Sequence, residues 1–243
     1  MKAIQTTNLT KRFGERIAVD GVTLSIEQGE FFALLGQNGA GKTTAIRMLC
    51  CLSKPSGGDA LLLGDSVITN PEAVKQKLNV SPQETAVAPN LSVMENLVLI
   101  ARIYGADKAS AQTRAKEMAE TLGLADRLKD KARTLSGGMQ RRLSIAMAMI
   151  TDPKILFLDE PTLGLDVRAR RELWRYIEAL KGRITIVLTT HYLEEAEALA
   201  DRIGIMDAGK LKALGTVQEL MEQTGQASLD DIFLALTEEE GIA

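Results

Sequence analysis

The sequence is poor in the residues that disulfide scaffolds and metal sites draw on. Its 243 residues include two cysteines, adjacent at Cys50 and Cys51, and a single histidine, His191. Adjacent residues in a helix point to different sides, so the two thiols read as reduced core groups and exclude a disulfide framework or a metal pair. Aromatics make up 4% of a chain that is 45% hydrophobic, which implies an aliphatic interior of helices and sheet. No run of eighteen apolar residues occurs, so no segment is expected to span a membrane. Met1 to Gln5 shows no secretory signal pattern, and no internal repeat or low-complexity block stands out. An excess of basic charge is missing too. With 29 Lys and Arg against 32 Asp and Glu, the net charge is −3 and gives no electrostatic reason to expect a nucleic-acid partner.

What is present is chemistry for phosphate. The run Gly36, Gln37, Asn38, Gly39, Ala40, Gly41, Lys42, Thr43 fits G-x-x-x-x-G-K-[ST] at every fixed position. A buried-strand pattern, Phe31 to Leu35, precedes it, and a helical pattern, Thr43 to Leu52, follows, which is the context the motif requires. Its glycines let backbone N–H groups wrap phosphate, the helix N-terminus adds partial positive charge, and Lys42 reaches the β- and γ-phosphates. Thr43 is expected to place its hydroxyl on Mg²⁺, with Thr44 beside it.

Ile155 to Leu158 is a second continuous apolar run, and it ends in Asp159 and Glu160. Such a run suits a strand covered on both faces, and ligands bind at the carboxyl ends of strands in open α/β sheets. Asp159 is then a partner of Mg²⁺, and Glu160 is free to polarise an attacking water. Ile184 to Thr190 is another strand pattern, and it delivers His191 to the same edge. A lone histidine is more often a packing residue, but its place beside the acids favours a role in positioning. A second glycine-rich turn, Leu135-Ser136-Gly137-Gly138-Met139-Gln140, also opens a helix and supplies further donors for phosphate.

These motifs, in this order, resemble the nucleotide-binding domain of the ABC (ATP-binding cassette) ATPases, and the resemblance covers essentially the whole chain. It implies an α/β fold, a P-loop NTPase (RecA-like) core with a mostly parallel sheet, an N-terminal antiparallel β subdomain and an inserted α-helical subdomain. Residues 1–83 and 150–215 would form the core, 84–149 the helical insertion and 216–243 a short helical tail. Leu135 to Gln140 matches the family signature, so Ser136, Gly137, Gly138 and Gln140 would serve the ATP held by the P-loop of a second domain packed head to tail. Phe13 stands where the family stacks an aromatic on adenine. Gln83 matches the Q-loop, a sensor of metal and water, and Asp166 matches the loop that meets the opposite domain. Asp166 is also a good N-cap for the helix expected from Val167 to Leu180. His191 would contact the γ-phosphate and hold Glu160 and water in line.

The function implied is ATP hydrolysis with Mg²⁺, in a homodimer or a heterodimer with a related domain, driving a separate integral-membrane permease. The chain would then sit in the cytoplasm on the inner face of the membrane, held by that partner. The segment Glu84 to Leu97 resembles the region that receives the permease, and the tail looks most like the drug-, sodium- or lipid-exporter subgroup. Two alternatives stay open at this point: a soluble ABC ATPase acting on ribosomes or DNA, and a regulatory subunit that binds ATP without turnover.

Further elements are readable from pattern alone. Ser92-Val93-Met94-Glu95 is a capping-box start, and Thr216-Val217-Gln218-Glu219 and Ser228-Leu229-Asp230-Asp231 are two more capped starts. Ala111, Ala115, Met118, Ala119 and Leu122 recur at helical spacing, and Glu84 to about Met149 reads as helical throughout. Leu173, Trp174, Ile177 and Leu180 fall on one side of a helix, which makes the single tryptophan a packing residue.

Overall fold

The computed structural model describes residues 1–237. The last six residues of the tail assigned to 216–243 therefore lie outside the described residues. The chain opens with β1 (Lys2–Phe13), β2 (Arg16–Val22) and β3 (Ser25–Glu27), followed by β4 (Phe31–Leu35) and α1 (Lys42–Leu49). Next come β5 (Gly57–Leu62), β6 (Asp65–Ser66), α2 (Pro71–Lys75) and β7 (Leu78–Ser81). A helical stretch holds α3 (Val93–Ile103), α4 (Lys108–Thr121) and α5 (Gly137–Met149), with two 3₁₀ turns at Ala125–Arg127 and Ala132–Thr134. Then β8 (Ile155–Asp159), α6 (Val167–Glu178), β9 (Thr185–Thr190), α7 (Leu193–Leu199), β10 (Arg202–Asp207) and β11 (Lys210–Gly215) lead to α8 (Val217–Thr224) and α9 (Leu229–Thr237).

Two sheets result. A six-stranded sheet has the order β11-β10-β4-β9-β8-β7, parallel throughout except for the β11 edge. Every residue of β4, β8 and β9 is buried, as expected of parallel strands with helices on both faces. An antiparallel sheet, β2-β1-β5-β6 with β3 also paired to β1, covers one side. β1 is long enough to serve three partners, with β3 along its first residues, β5 along its middle and β2 along its end.

Three apolar clusters divide the interior. The largest joins one sheet face, through Leu156, Leu158 and Leu188, to Leu97 of α3, Ala115 of α4 and Leu143 of α5. Ala111, Ala115 and Ala119 are fully buried, and their small side chains let α4 lie close against its neighbours. A second cluster packs the antiparallel sheet and α1 on the other face, through Ile4, Leu62, Ile46 and Phe157. A third seats α8 and α9 on the main body, through Leu220, Leu229, Ile232 and Phe233.

Two expectations need correction. The helix after the P-loop stops at Leu49, so Cys50 is its cap and Cys51 lies beyond it in left-handed backbone (φ 55°). Both are free thiols, Cys50 fully and Cys51 partly buried. The segment 84–92 is irregular, not helical. Its geometry follows from the buried Asn96, which accepts from Ala88 N at 2.8 Å and donates to the carbonyls of Ala88, Leu91 and Ser92 at 3.1, 3.3 and 2.9 Å. One amide side chain thus does the work of a turn of helix, and hydrophobic spacing does not report it.

Candidate functional site

β4 ends at Leu35 and the chain turns tightly into α1. Two glycines make that turn possible. A Cβ on Gly36 would stand 2.4 Å from Met206 O, and one on Gly41, at φ 102°, would stand 2.4 Å from Ala18 O. The helix therefore starts with no side-chain cap, which leaves the first-turn N–H groups for an outside acceptor. Lys42 is 4% exposed and folds back along the loop, donating to Gly36 O at 2.8 Å and Gln37 O at 3.1 Å.

The acids stand opposite. Asp159 closes β8 and Glu160 follows it, both buried, with Glu160 in left-handed backbone at φ 46°. The Glu160 amide donates to Thr189 O and Thr189 Oγ1, each at 3.1 Å. Asp159 Oδ1 accepts from Thr189 Oγ1 at 2.5 Å and from Thr43 Oγ1 at 3.1 Å. Both oxygens of Glu160 are engaged, Oε1 with Lys42 Nζ at 3.2 Å and Oε2 with His191 Nδ1 at 2.8 Å. Two buried carboxylates are tolerable because a lysine and several hydrogen bonds offset their desolvation. A hydroxyl and a carboxylate oxygen side by side, Thr43 with Asp159, form the kind of donor set that a hard divalent cation takes along with phosphate.

A cavity of about 340 Å³ opens over this arrangement. Asn38, Gly39, Gly41, Lys42, Thr43 and Thr44 line one wall, and Gln83 and Glu160 reach it from the strand ends. Arg16 and Ala18 of β2 and Leu163 complete it, and motif reading did not single these out. The fold thus gathers Lys42, Thr43, Asp159, Glu160, Gln83 and His191 around one edge of the sheet.

Other expected residues stand elsewhere. Phe13, at the β1–β2 hairpin next to Arg16, is 55% exposed with Lys11 Nζ 5.0 Å from its ring centre. That exposure excludes a place for Phe13 in the core. Ser136 caps α5 by accepting from Met139 N at 3.3 Å, and Gln140 donates to Leu135 O at 3.2 Å. Gly137 and Gly138 lie against Leu165 and Ala169, and none of these signature residues lines the cavity. Asp166 caps α6, accepting from Ala169 N at 2.9 Å, and is otherwise exposed.

Two further residues were not legible in the motifs. Thr189, inside a β-branched strand, ties Asp159 to the backbone of Glu160. Arg141 is buried with no carboxylate partner among the described residues, and its guanidinium donates to Pro82 O at 2.7 Å and Gln83 O at 2.5 Å. It anchors the Q-loop backbone to the helix that the signature opens. A charged residue one position past a motif gives no sequence signal for such a contact.

The comparisons with known proteins agree with this geometry. The family described as ABC transporter matches residues 19–163. The daunorubicin/doxorubicin resistance ATP-binding protein DrrA of Streptomyces peucetius is 43% identical over 225 residues, covering 92% of this chain and 68% of that protein. Among solved structures, an ATP-binding subunit of an ABC transporter superposes with TM-score 0.85 at 30% identity, over 96% of this chain and 99% of that one. The ATP-binding cassette MJ0796, solved as a dimer in a post-hydrolysis state with ADP and Pi, gives TM-score 0.78 at 26% identity, over 88% and 98%. The chain belongs to the ABC transporter family and is an ATP-binding subunit that hydrolyses ATP.

Proposed function

We propose that this subunit powers an exporter, with two ATP molecules sandwiched between two copies, or between one copy and a related domain. The observation that carries the reading is the seat of Glu160 between Lys42 and His191 at the end of β8. In that seat Glu160 polarises the attacking water, His191 holds carboxylate and water in line, and Lys42 turns from the loop carbonyls to the β- and γ-phosphates. Backbone N–H groups of Gly36 to Thr44 cradle the phosphates. Phe13 takes the adenine on its exposed ring face. Thr43, Asp159 and Gln83 are the residues that would hold Mg²⁺, which would supply charge neutralisation for the phosphates. Ser136, Gly137, Gly138 and Gln140 complete the site of the opposite copy, where Asp166 also makes contact. The distance of these residues from their own cavity supports that assignment.

Residues 84–149 are the helical subdomain, moving against a core of 1–83 and 150–215, with 216–243 as the tail. An integral-membrane permease docks where the helical subdomain meets the sheet edge. A groove there, lined by Asn79, Pro82, Ala86, Ile100, Tyr104 and Met147, is flanked by exposed Leu99 and Ile103. No helix among the described residues is long and apolar enough to cross a membrane, so the translocation path belongs to the partner. The subunit then sits in the cytoplasm, on the inner face of the membrane. The resistance function in the name of DrrA supports export over import.

Glu160→Gln tests the reading. The variant should lose turnover, accumulate as an ATP-bound dimer in size-exclusion chromatography, and bring a membrane protein with it from detergent extracts. Unchanged turnover, or a variant that stays monomeric in ATP and captures no membrane protein, would reject it.

A further inference from the structure

Among the described residues, three buried side-chain polar atoms lack a partner at full hydrogen-bond geometry: Thr162 Oγ1, Arg170 Nε and Glu195 Oε2, with Thr162 near enough to act on the Glu195 carboxyl. All three belong to one neighbourhood around Glu195, and none of these residues lines the nucleotide cavity. Burying polar atoms without partners costs free energy, and apolar residues would join these elements more cheaply. Such a cluster calls for an explanation in function.

Glu195 is the centre of it. It lies on α7, fully buried, and its Oε1 accepts from Trp174 Nε1 of α6 at 3.0 Å. Desolvation pushes its carboxyl above the ordinary range, against the pull of Thr190, Trp174, Thr162 and Arg170 toward the charged form. One turn earlier on α6, the Arg170 guanidinium lies over the Tyr192 ring at 4.3 Å. That ring in turn lies against His191, with centroids 4.1 Å apart. The Tyr192 amide donates to Thr190 Oγ1 at 3.0 Å, which fixes the turn between β9 and α7.

Arg170 and Trp174 are four residues apart and share one face of α6, and Asp166, the cap of that helix, stands four residues before Arg170. A single stripe of α6 therefore grips the His191 turn at two points, one stacked and one hydrogen-bonded. Cation–π stacking and an indole hydrogen bond are both directional, so a shift of the helix axis is felt at both.

We propose that Tyr192 and Glu195 are positioning residues, gripped by Arg170 and Trp174, which align His191 with Glu160 only when α6 is seated. Contact by the second copy at Asp166 seats the helix, so that dimer closure sets turnover. The grip is a property of one chain; only its trigger rests on the two-copy reading proposed above.

The single tryptophan makes the grip visible. In the Glu160→Gln chain, ATP should shift Trp174 emission as α6 seats, and the shift should vanish when Ser136→Arg is added to prevent closure. In the otherwise native full chain, Tyr192→Ala should lower kcat about tenfold with KM within about twofold, the signature of misplacement rather than lost binding. Tyr192→Phe, which keeps the ring, should restore turnover. Glu195→Leu should fall as Tyr192→Ala does, and Glu195→Gln, which can still accept from the indole, should not. A folded Tyr192→Ala with native kcat would overturn the proposal, and if that variant does not fold, equal turnover in the two Glu195 variants would overturn it. If the kcat losses appear but Glu160→Gln forms no ATP-bound dimer, the grip stands and the two-copy trigger falls.

Discussion

Thr189 performs two tasks with one hydroxyl. It donates to Asp159 Oδ1 and accepts from the Glu160 amide, so it ties the acid on one side of the peptide to the backbone of the acid on the other. The second bond matters because Glu160 sits at φ 46°, a conformation that costs an L-residue roughly 1–2 kcal/mol unless its surroundings hold it. Thr189→Val keeps the shape and removes both bonds, leaving the Glu160 amide on Thr189 O alone. We expect a loss of about 1–3 kcal/mol in urea unfolding, with reduced ATPase activity, and recovery of both in Thr189→Ser. Native stability in the valine variant would mean the hydroxyl is incidental. This residue also shows where sequence reading stops. Ile184 to Thr190 is legible as a strand because β-branched residues suit one, but every position of β9 is buried. No alternation then marks the hydroxyl that faces the acids.

At the scale of elements, legibility follows from local chemistry. The bounds of β4 are those that its apolar run implies, and β8 ends at the acids as expected. The starts of α3 and α8 are the two capping boxes. α7, whose cap Tyr192 offers no side-chain bond, carries no comparable start signal, and the path of 84–92 depends on Asn96 reaching back across eight residues. Local rules reveal elements that stabilise themselves and miss those imposed by tertiary contact. The capping box of α3 is also a pH-sensitive fastening. Ser92 Oγ accepts from Glu95 N at 3.1 Å, and Ser92 N donates to Glu95 Oε2 at 2.7 Å. Hydrogen bonding from Ser92, with Lys131 nearby, holds the Glu95 carboxyl below the ordinary glutamate range. A depressed folded-state pKa contributes stability above the unfolded-state pKa, and that contribution is lost as pH falls through the folded value. Ser92→Ala removes the cap on Glu95 N and should by itself cost about 1 kcal/mol. The gap in Tm between Glu95→Gln and the native chain should close as the solution is acidified to below the ordinary glutamate range. A gap that is independent of pH would assign the effect to packing.

On the two-copy reading proposed above, half of the molecule's nucleotide chemistry faces outward. Ser136, Gly137 and Gly138 open α5 at the surface, packed on Leu165 and Ala169 and absent from their own cavity. Ser136→Arg should leave ATP binding by the lone chain nearly intact and abolish the ATP-bound dimer of the Glu160→Gln form, as read by nucleotide titration and size-exclusion chromatography. Lost binding in the monomer would return the signature to its own site. The sheet order has a consequence for synthesis as well. β4 carries the P-loop at its tip, yet its two neighbours are β9 and β10, which lie roughly 150 residues further along the chain. At ribosomal speed that separation is about ten to thirty seconds, during which Phe31 to Leu35 has no strand to pair with. A chain that ends before β9 thus lacks both parallel neighbours of the P-loop strand, and it is expected to bind ATP poorly. Competence to bind nucleotide doubles as proof that translation has reached the far side of the sheet.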